Sequence, residues 1–81
     1  MTKNQTILSI RQYGKISLRL NQLMDQRGMT RNELANSIHT RFEVVDKWYR
    51  GDISKIDLDI LARICYVMEC RVEELLIYEA P

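Results

Sequence analysis

Residues that interrupt helices are rare in this chain, whose 81 residues include three glycines and one proline. Such a composition favours a small, all-helical domain with short connections. The sequence also has no apolar run of the roughly 18–20 residues that cross a membrane, and no basic segment followed by an apolar one near its beginning. We therefore expect neither a membrane partner nor export, and predict a cytoplasmic protein.

Cysteine and histidine are also scarce. Cys65 and Cys70 are too few for a disulfide framework, and their spacing matches no common metal motif. We expect reduced thiols, no metal and no cofactor. The single histidine, His39, has no serine or cysteine placed nearby as a nucleophile, and no glycine-rich phosphate loop occurs. An enzyme is therefore not expected, and no small-molecule ligand is evident.

The formal net charge is only +1, but the charges are unevenly distributed. Residues 1–56 contain ten Lys or Arg and five Asp or Glu, a net of +5. Residues 57–81 contain two basic and six acidic residues, a net of −4. A basic part followed by an acidic part gives a polarised surface. We expect an anionic partner to meet the basic part.

The pattern along the chain predicts five helices, preceded by a polar N-terminal arm over residues 1–14. The arm contains a β-prone stretch, Thr6–Ile10. A first helix is predicted over Lys15–Gln26, because apolar residues recur there at helical spacing. These apolar residues are Ile16, Leu20, Leu23 and Met24. Gly28 is suited to end the helix.

The next two predicted helices are joined by a tight turn. Thr30 suits the N-cap of the second helix, and Glu33 completes a capping box three residues later. After a turn over Ile38–Thr40, a third helix is predicted over Arg41–Arg50, with Gly51 as its left-handed stop. The residues expected to face the core here are Leu34, Ala35, Ile38, Val45 and Trp48. This layout is typical of a helix-turn-helix, whose second helix can lie in the major groove of DNA.

The C-terminal part is predicted to form two further helices and a short β-prone end. Asp57 suits the N-cap of the fourth helix, and a last helix begins near Val72. The apolar stripe of the fourth helix is predicted to comprise Leu58, Leu61, Ala62, Cys65 and Met68. We hypothesise that Thr6–Ile10 and Leu76–Tyr78 pair between two protomers. Packing within one protomer's own core is the alternative.

This succession resembles the phage-repressor/Cro-like (XRE) family of bacterial and phage helix-turn-helix proteins over about residues 15–78. The similarity rests on Thr30, Glu33-Leu34-Ala35, Val45, Arg50-Gly51, and an ending that runs from Ile56-Asp57 through Cys65 to Glu74-Leu75-Leu76. The resemblance implies an all-α, compact five-helix bundle of the lambda-repressor-like kind, and transcriptional regulation by binding double-stranded DNA. A homodimer is expected, because one small domain covers few base pairs and two copies on a palindrome multiply the affinity.

Several positions depart from the family pattern. His39 stands where the family usually has glycine in the turn, and Thr40 where a buried Val or Ile is usual. Tyr49 replaces the glutamate of the family's Glu-x-Gly. The third helix opens with Arg41-Phe42-Glu43-Val44, where small polar residues are usual. Histidine adopts left-handed backbone geometry more readily than bulky residues do, so the turn is still expected to form.

Residues near the N-terminus of such a third helix point at base edges. The candidate base contacts are Arg41, Phe42, Glu43, Val44 and Lys47. We expect Arg41 to donate two hydrogen bonds to guanine, and Glu43 to accept one from cytosine N4. Phe42 or Val44 can contact a thymine methyl group. The candidate phosphate contacts are Thr30, Arg31, Asn32, Arg50, Ser54 and Lys55.

Other interpretations of the third helix stay open at this stage. Arg41 and Lys47 can be ordinary solvated charges that pair with Glu43 and Asp46, and Phe42 can pack into the fold. A different function is also compatible with this face, namely a protein-interaction module or antirepressor on the same fold. Its apolar and acidic residues suit a protein partner better than they suit phosphates.

Overall fold

The computed structural model describes residues 13–81. Most of the predicted arm, with Thr6–Ile10 in it, therefore lies outside the described residues. The elements, in chain order, are β1 (Lys15–Leu18), α1 (Leu20–Arg27), α2 (Arg31–Ser37), α3 (Phe42–Arg50), α4 (Leu58–Met68), α5 (Val72–Leu75) and β2 (Leu76–Glu79). The fold is thus mostly helical.

The prediction of an all-α fold is wrong in one respect, because the five helices are joined by a two-stranded sheet. β1 pairs antiparallel with β2, and Lys15 lies opposite Glu79. The first helix begins only at Leu20, not at Lys15. Ile16, which the helical pattern included, is 60% exposed. A strand whose partner lies some sixty residues away leaves no local signal strong enough to override an apparent helical spacing.

The β-prone end of the chain does form a strand, and its partner is a segment of the same chain. β2 pairs with β1 of the same chain, a partner that was not predicted for this segment, and pairing between protomers stays a prediction. The Tyr78 hydroxyl donates a hydrogen bond of 2.6 Å to the carbonyl oxygen of Tyr13. Gly14 has a φ of +83°, and a Cβ at this position would collide with the carbonyl oxygen of Glu79. A glycine is therefore required where the chain enters the sheet.

The α2–turn–α3 unit matches the sequence prediction closely. The Thr30 hydroxyl accepts a hydrogen bond from the Glu33 amide, and the Glu33 carboxylate accepts one from the Thr30 amide, which confirms the capping box. His39 occupies the left-handed region with a φ of 56°. α3 starts after Arg41 and ends at Gly51, which is also left-handed. The short turn brings the N-terminus of α3 close to the end of α2.

α4 is capped as predicted, but its buried face differs from the predicted one. The Asp57 carboxylate accepts hydrogen bonds from the amides of Asp59 and Ile60. Leu58 is 76% exposed, and Ala62 is exposed as well. The buried residues of this helix are Leu61, Ile64 and Met68. The predicted stripe was therefore wrong at Ala62 and at Leu58, the first residue of the helix, and it omitted Ile64.

Both cysteines are free, half-buried thiols, Cys65 within α4 and Cys70 just after its end. The Cys70 amide donates a hydrogen bond of 3.1 Å to the Cys65 carbonyl oxygen, which closes the helix around Glu69. Burial is the main cause that raises the pKa of the Cys70 thiol to about 11. Between residues 13 and 81, no three His, Cys, Asp or Glu side chains gather in a way that could hold a metal ion.

One hydrophobic core joins all five helices. Its buried members are Leu20, Met24, Leu34, Ala35, Ile38, Val45, Trp48, Leu61, Ile64, Met68 and Leu75. The C-terminal ends of α1 and α4 are further linked by a hydrogen bond from the Arg27 guanidinium to the Met68 carbonyl oxygen. No helix within the described part of the chain is both long and apolar enough to span a bilayer.

Candidate nucleic-acid interface

α3 is anchored by one face and displays the other. Val45 and Trp48 are buried in the core, and Val44 is half-buried beside them. Their spacing fixes the rotation of the helix, because residues three and four apart share a face. Glu43, Lys47 and Arg50 consequently lie on the outer face, and all three are exposed.

Three charged residues at the start of α3 and along its outer face form no ion pair with any other described residue. Arg41 precedes the helix as its N-cap residue, and its side chain makes no capping hydrogen bond. Among residues 13–81, Arg41, Glu43 and Lys47 form no ion pair. The pairing of Arg41 and Lys47 with Glu43 and Asp46, which the sequence left open, is therefore not observed. Arg41 and Lys47 are available to an external acceptor.

One flank of α3, facing the start of α2, is a closed network of charges. The Asp46 carboxylate binds Arg31 Nη1 at 2.7 Å through one oxygen and Arg50 Nε at 3.0 Å through the other. Asp46 is largely shielded, with 22% of its side chain exposed. Arg50 Nη1 also lies 3.7 Å from an Asp52 carboxylate oxygen. Two of the predicted phosphate contacts, Arg31 and Arg50, are thus bound to one acidic residue.

Aromatic rings complete this flank. The Arg31 guanidinium carbon lies 4.9 Å from the centre of the Tyr49 ring and 5.7 Å from that of Phe42. Such distances allow cation–π attraction. The Tyr49 hydroxyl donates a hydrogen bond of 2.8 Å to Asp25 at the end of α1, and this hydrogen bond is the main cause that raises the pKa of Tyr49. We call Arg31, Phe42, Asp46 and Tyr49 the closed flank.

The opposite flank of α3 is an open groove of about 490 Å³ between the helix and the loop that follows it. Lys47 lines the groove from the helix, and Ser54 and Lys55 line it from the loop. Two acidic residues also line it, but Asp52 lies near Arg50 and Asp57 caps α4. Lys47 and Lys55 form no ion pair within the described part of the chain. We call Lys47, Ser54 and Lys55 the open flank.

The remaining predicted phosphate contacts lie at the start of α2. Asn32 is exposed, and so is Thr30. The Thr30 amide is already used, because it donates a hydrogen bond of 2.8 Å to the Glu33 carboxylate. The acidic side chain of Glu33 therefore stands where an anion would approach this amide. Of the two residues, Asn32 is the more available to a phosphate.

The closed flank was only partly predictable from the sequence. The spacing of Phe42, Asp46 and Tyr49 places them on one side of α3, and this pattern is visible in the sequence. Their partners, Arg31 and Asp25, come from two other helices, and no local pattern reveals them. Asp46 is consequently no isolated acidic residue on this face, because its carboxylate is paired with two arginines of the same protein.

Comparisons with known proteins agree with this geometry. The family model of the Cro/C1-type HTH DNA-binding domain matches residues 19–81. The crystal structure of a candidate DNA-binding protein from Bacteroides fragilis superposes with a TM-score of 0.67 at 16% sequence identity, covering 76% of this chain and 98% of that one. At this identity, the superposition shows a shared fold. A search of curated proteins gave no match. Because the family model covers most of the chain, the protein belongs to the Cro/C1-type helix-turn-helix DNA-binding family.

Proposed function

We propose that the protein is a sequence-specific DNA-binding transcriptional regulator whose α3 lies in the major groove. The observation that carries this proposal is the set of basic side chains without partners along one side of α3. Arg41 and Lys47 on the helix, and Lys55 across the groove, form no ion pair among residues 13–81. Unpaired basic residues along an exposed helix are what a polyanionic duplex requires.

Base reading is assigned to the N-terminal half of α3. Arg41 stands at the tip of the helix, where its guanidinium can donate two hydrogen bonds to guanine O6 and N7. Glu43 can accept a hydrogen bond from cytosine N4. Phe42 is 39% exposed, which leaves an edge for a thymine methyl group, and Val44 presents less surface. Lys47 lies one turn further along and can reach either a base or a phosphate.

Backbone contacts are assigned to both flanks. On the open flank, Ser54 and Lys55 would hold the phosphates of one strand beside the groove. On the other side, Asn32, Arg31 and Arg50 would meet the phosphates of the opposite strand. Each phosphate that a basic side chain neutralises releases counterions, so the affinity would fall as salt rises.

A homodimer is part of the proposal. Two copies on a palindromic site would each place one α3 in the groove, about one helical turn apart. Sedimentation equilibrium of the full chain, with and without a palindromic duplex, measures this directly. A protein that stays monomeric and binds a single half-site as tightly as the palindrome would contradict the homodimer, without affecting the proposal that one domain binds DNA.

The alternative of a protein-interaction module loses most of its support in this geometry. It drew on an outer face that seemed apolar and acidic. Asp46, however, is paired with two arginines, Val44 is half-buried, and the Phe42 ring lies beside Arg31. Of the two acidic residues of α3, only Glu43 is exposed and without an ion pair among the described residues. We therefore favour DNA as the partner.

Selection of bound sequences from a random pool of duplex DNA tests the proposal. The purified full chain is mixed with the pool at about 50 mM salt, where electrostatic binding is strong. We expect retention of DNA, and enrichment of a motif after several rounds. Retention without enrichment would contradict sequence specificity. Absence of retained DNA at this salt concentration would contradict DNA binding altogether.

A further inference from the structure

Asp46 is the only acidic residue among those described that bridges two arginines through both of its carboxylate oxygens. The two arginines come from different helices, since Arg31 starts α2 and Arg50 ends α3. The bridge therefore joins the two helices of the helix-turn-helix on the side that would face a phosphate backbone. Its hydrogen bonds, of 2.7 and 3.0 Å, are charge-assisted and well formed.

The bridge leaves donors free on both arginines. Arg31 uses Nη1 for Asp46, and its guanidinium rests against the Tyr49 and Phe42 rings. A guanidinium has five N–H groups, so most of those of Arg31 still point elsewhere. Arg50 uses Nε for Asp46, its Nη1 lies 3.7 Å from an Asp52 carboxylate oxygen, and its side chain is half-exposed. Each arginine is therefore held by the Asp46 carboxylate and still has N–H groups free to donate to another acceptor.

We propose that Asp46 is a positioning residue for DNA binding, whose carboxylate holds Arg31 and Arg50 in the orientations in which they contact phosphates. This inference rests on the proposed DNA-binding function. Ordering a long side chain at an interface costs roughly 0.5–1.5 kcal/mol, or about two- to tenfold in affinity, for each side chain. Because Asp46 orders two arginines before DNA binds, this ordering cost does not reduce the affinity of the complex.

A simple charge argument predicts the opposite effect. Asp46 is a negative charge close to a surface that would meet a polyanion, so its removal would strengthen binding if only long-range electrostatics mattered. The two accounts therefore differ in the sign of the change. Asp52 provides a matched control, since it also lies near Arg50 but is more distant, at 3.7 Å, and is mostly exposed.

The experiment compares Asp46→Asn and Asp52→Asn with the wild-type chain, using fluorescence anisotropy on a duplex selected from the random pool. We expect Asp46→Asn to bind about five- to tenfold more weakly at about 100 mM salt, and with a shallower salt dependence. Asp52→Asn is expected to bind equally well or more tightly. If Asp46→Asn binds as tightly as Asp52→Asn, or more tightly than the wild type, the inference is wrong.

Arg31→Lys serves as a second variant that leaves Asp46 in place. It keeps the positive charge but loses the planar fork that the carboxylate holds. We expect it to weaken binding as well, and Asp46→Asn to weaken binding less in the Arg31→Lys background than in the wild type, because only Arg50 is then left for the carboxylate to position. Full additivity of the two changes would contradict the proposal. Thermal unfolding of each variant verifies that the folded state is retained, and failure of the wild type to bind any duplex would instead refute the proposed function.

Discussion

The two flanks of α3 both carry basic side chains, but these side chains differ in what they contact. On the closed flank, the one basic side chain, Arg31, has an acidic partner in Asp46, and its guanidinium lies against the Phe42 and Tyr49 rings. On the open flank, Lys47 and Lys55 project beside a groove without an ion pair among the described residues. The closed flank is therefore held by contacts within the protein, whereas the lysines of the open flank are available to an external acceptor.

This difference separates two contributions to DNA binding. Lysines that form no ion pair contribute through long-range attraction and counterion release, which depend on salt but little on geometry. In the proposed complex, the bridged arginines would contribute through direction, because Asp46 holds their donors relative to α3. A count of basic residues cannot distinguish these two roles, but the contacts that each guanidinium and ammonium group makes do distinguish them.

The largest effect is expected from removing the charge of the open flank. The double change Lys47→Ala with Lys55→Ala should weaken binding to every duplex by about tenfold or more at about 150 mM salt. It should also lower the slope of log affinity against log salt by about 2, close to 0.9 for each lost contact. Anisotropy titrations between about 50 and 200 mM salt measure both quantities. An unchanged slope would mean that the groove does not meet the DNA backbone.

Arg41→Ala should change preference more than affinity. Loss of a two-bond contact with guanine is expected to reduce discrimination between the selected site and its single-base variants by about 1–3 kcal/mol. Lys55→Ala is the control, since its loss should weaken all sequences alike. Competition with single-base variants of the selected duplex measures the difference. Equal, sequence-independent losses from both changes would remove Arg41 from the base-reading role.

On the closed flank, Tyr49→Phe separates the hydroxyl from the ring. The hydroxyl bonds to Asp25 and the ring lies under Arg31, so we expect a small drop in Tm with unchanged DNA affinity. Tyr49→Leu removes the ring as well, and should lower both the Tm and the DNA affinity. Thermal unfolding and anisotropy on the same samples check this. A loss of affinity in Tyr49→Phe as large as that in Tyr49→Leu would show that the ring is not what orders Arg31.

The smallest effect concerns the sheet, which serves as a reference away from both flanks. A hydrogen bond from Ser17, together with Lys15 and Arg19, holds the pKa of Glu79 below its ordinary value of 4.5. Since the folded pKa is lowered, Glu79 contributes stability that is present above about pH 4.5 and is lost as the pH falls through the folded pKa. Glu79→Gln should make unfolding less dependent on pH below 4.5, with DNA affinity at neutral pH unchanged. A change in the DNA affinity of Glu79→Gln would contradict the view that the sheet is independent of the DNA-binding surface around α3.

Features governed by neighbouring residues were predictable from the sequence. The capping box at Thr30, the left-handed turn at His39 and the stop at Gly51 each depend on residues within a few positions, and the structure confirms them. The helical pattern also placed Val45 and Trp48 in the core. These signals are local because a helix satisfies its hydrogen bonds within itself.

Features that join distant segments were not predictable. β1 depends on a partner at the other end of the chain, so Lys15–Leu18 was wrongly predicted as the start of a helix. The role of Asp46 depends on Arg31, which comes from another helix. The buried side of α4 was misjudged at Ala62 and Ile64, because apolar character alone does not tell which of two adjacent stripes turns inward. Long-range geometry decides each of these cases.

The most direct test of the account asks which groove α3 occupies. Duplexes carrying the selected site are methylated sparsely at guanine N7, which lies in the major groove, or at adenine N3, which lies in the minor groove. We predict that N7 methylation within the site blocks binding by the wild-type chain, and that Arg41→Ala no longer senses methylation at one of these guanines. Interference from adenine N3 alone, with none from guanine N7, would contradict the placement of α3 in the major groove.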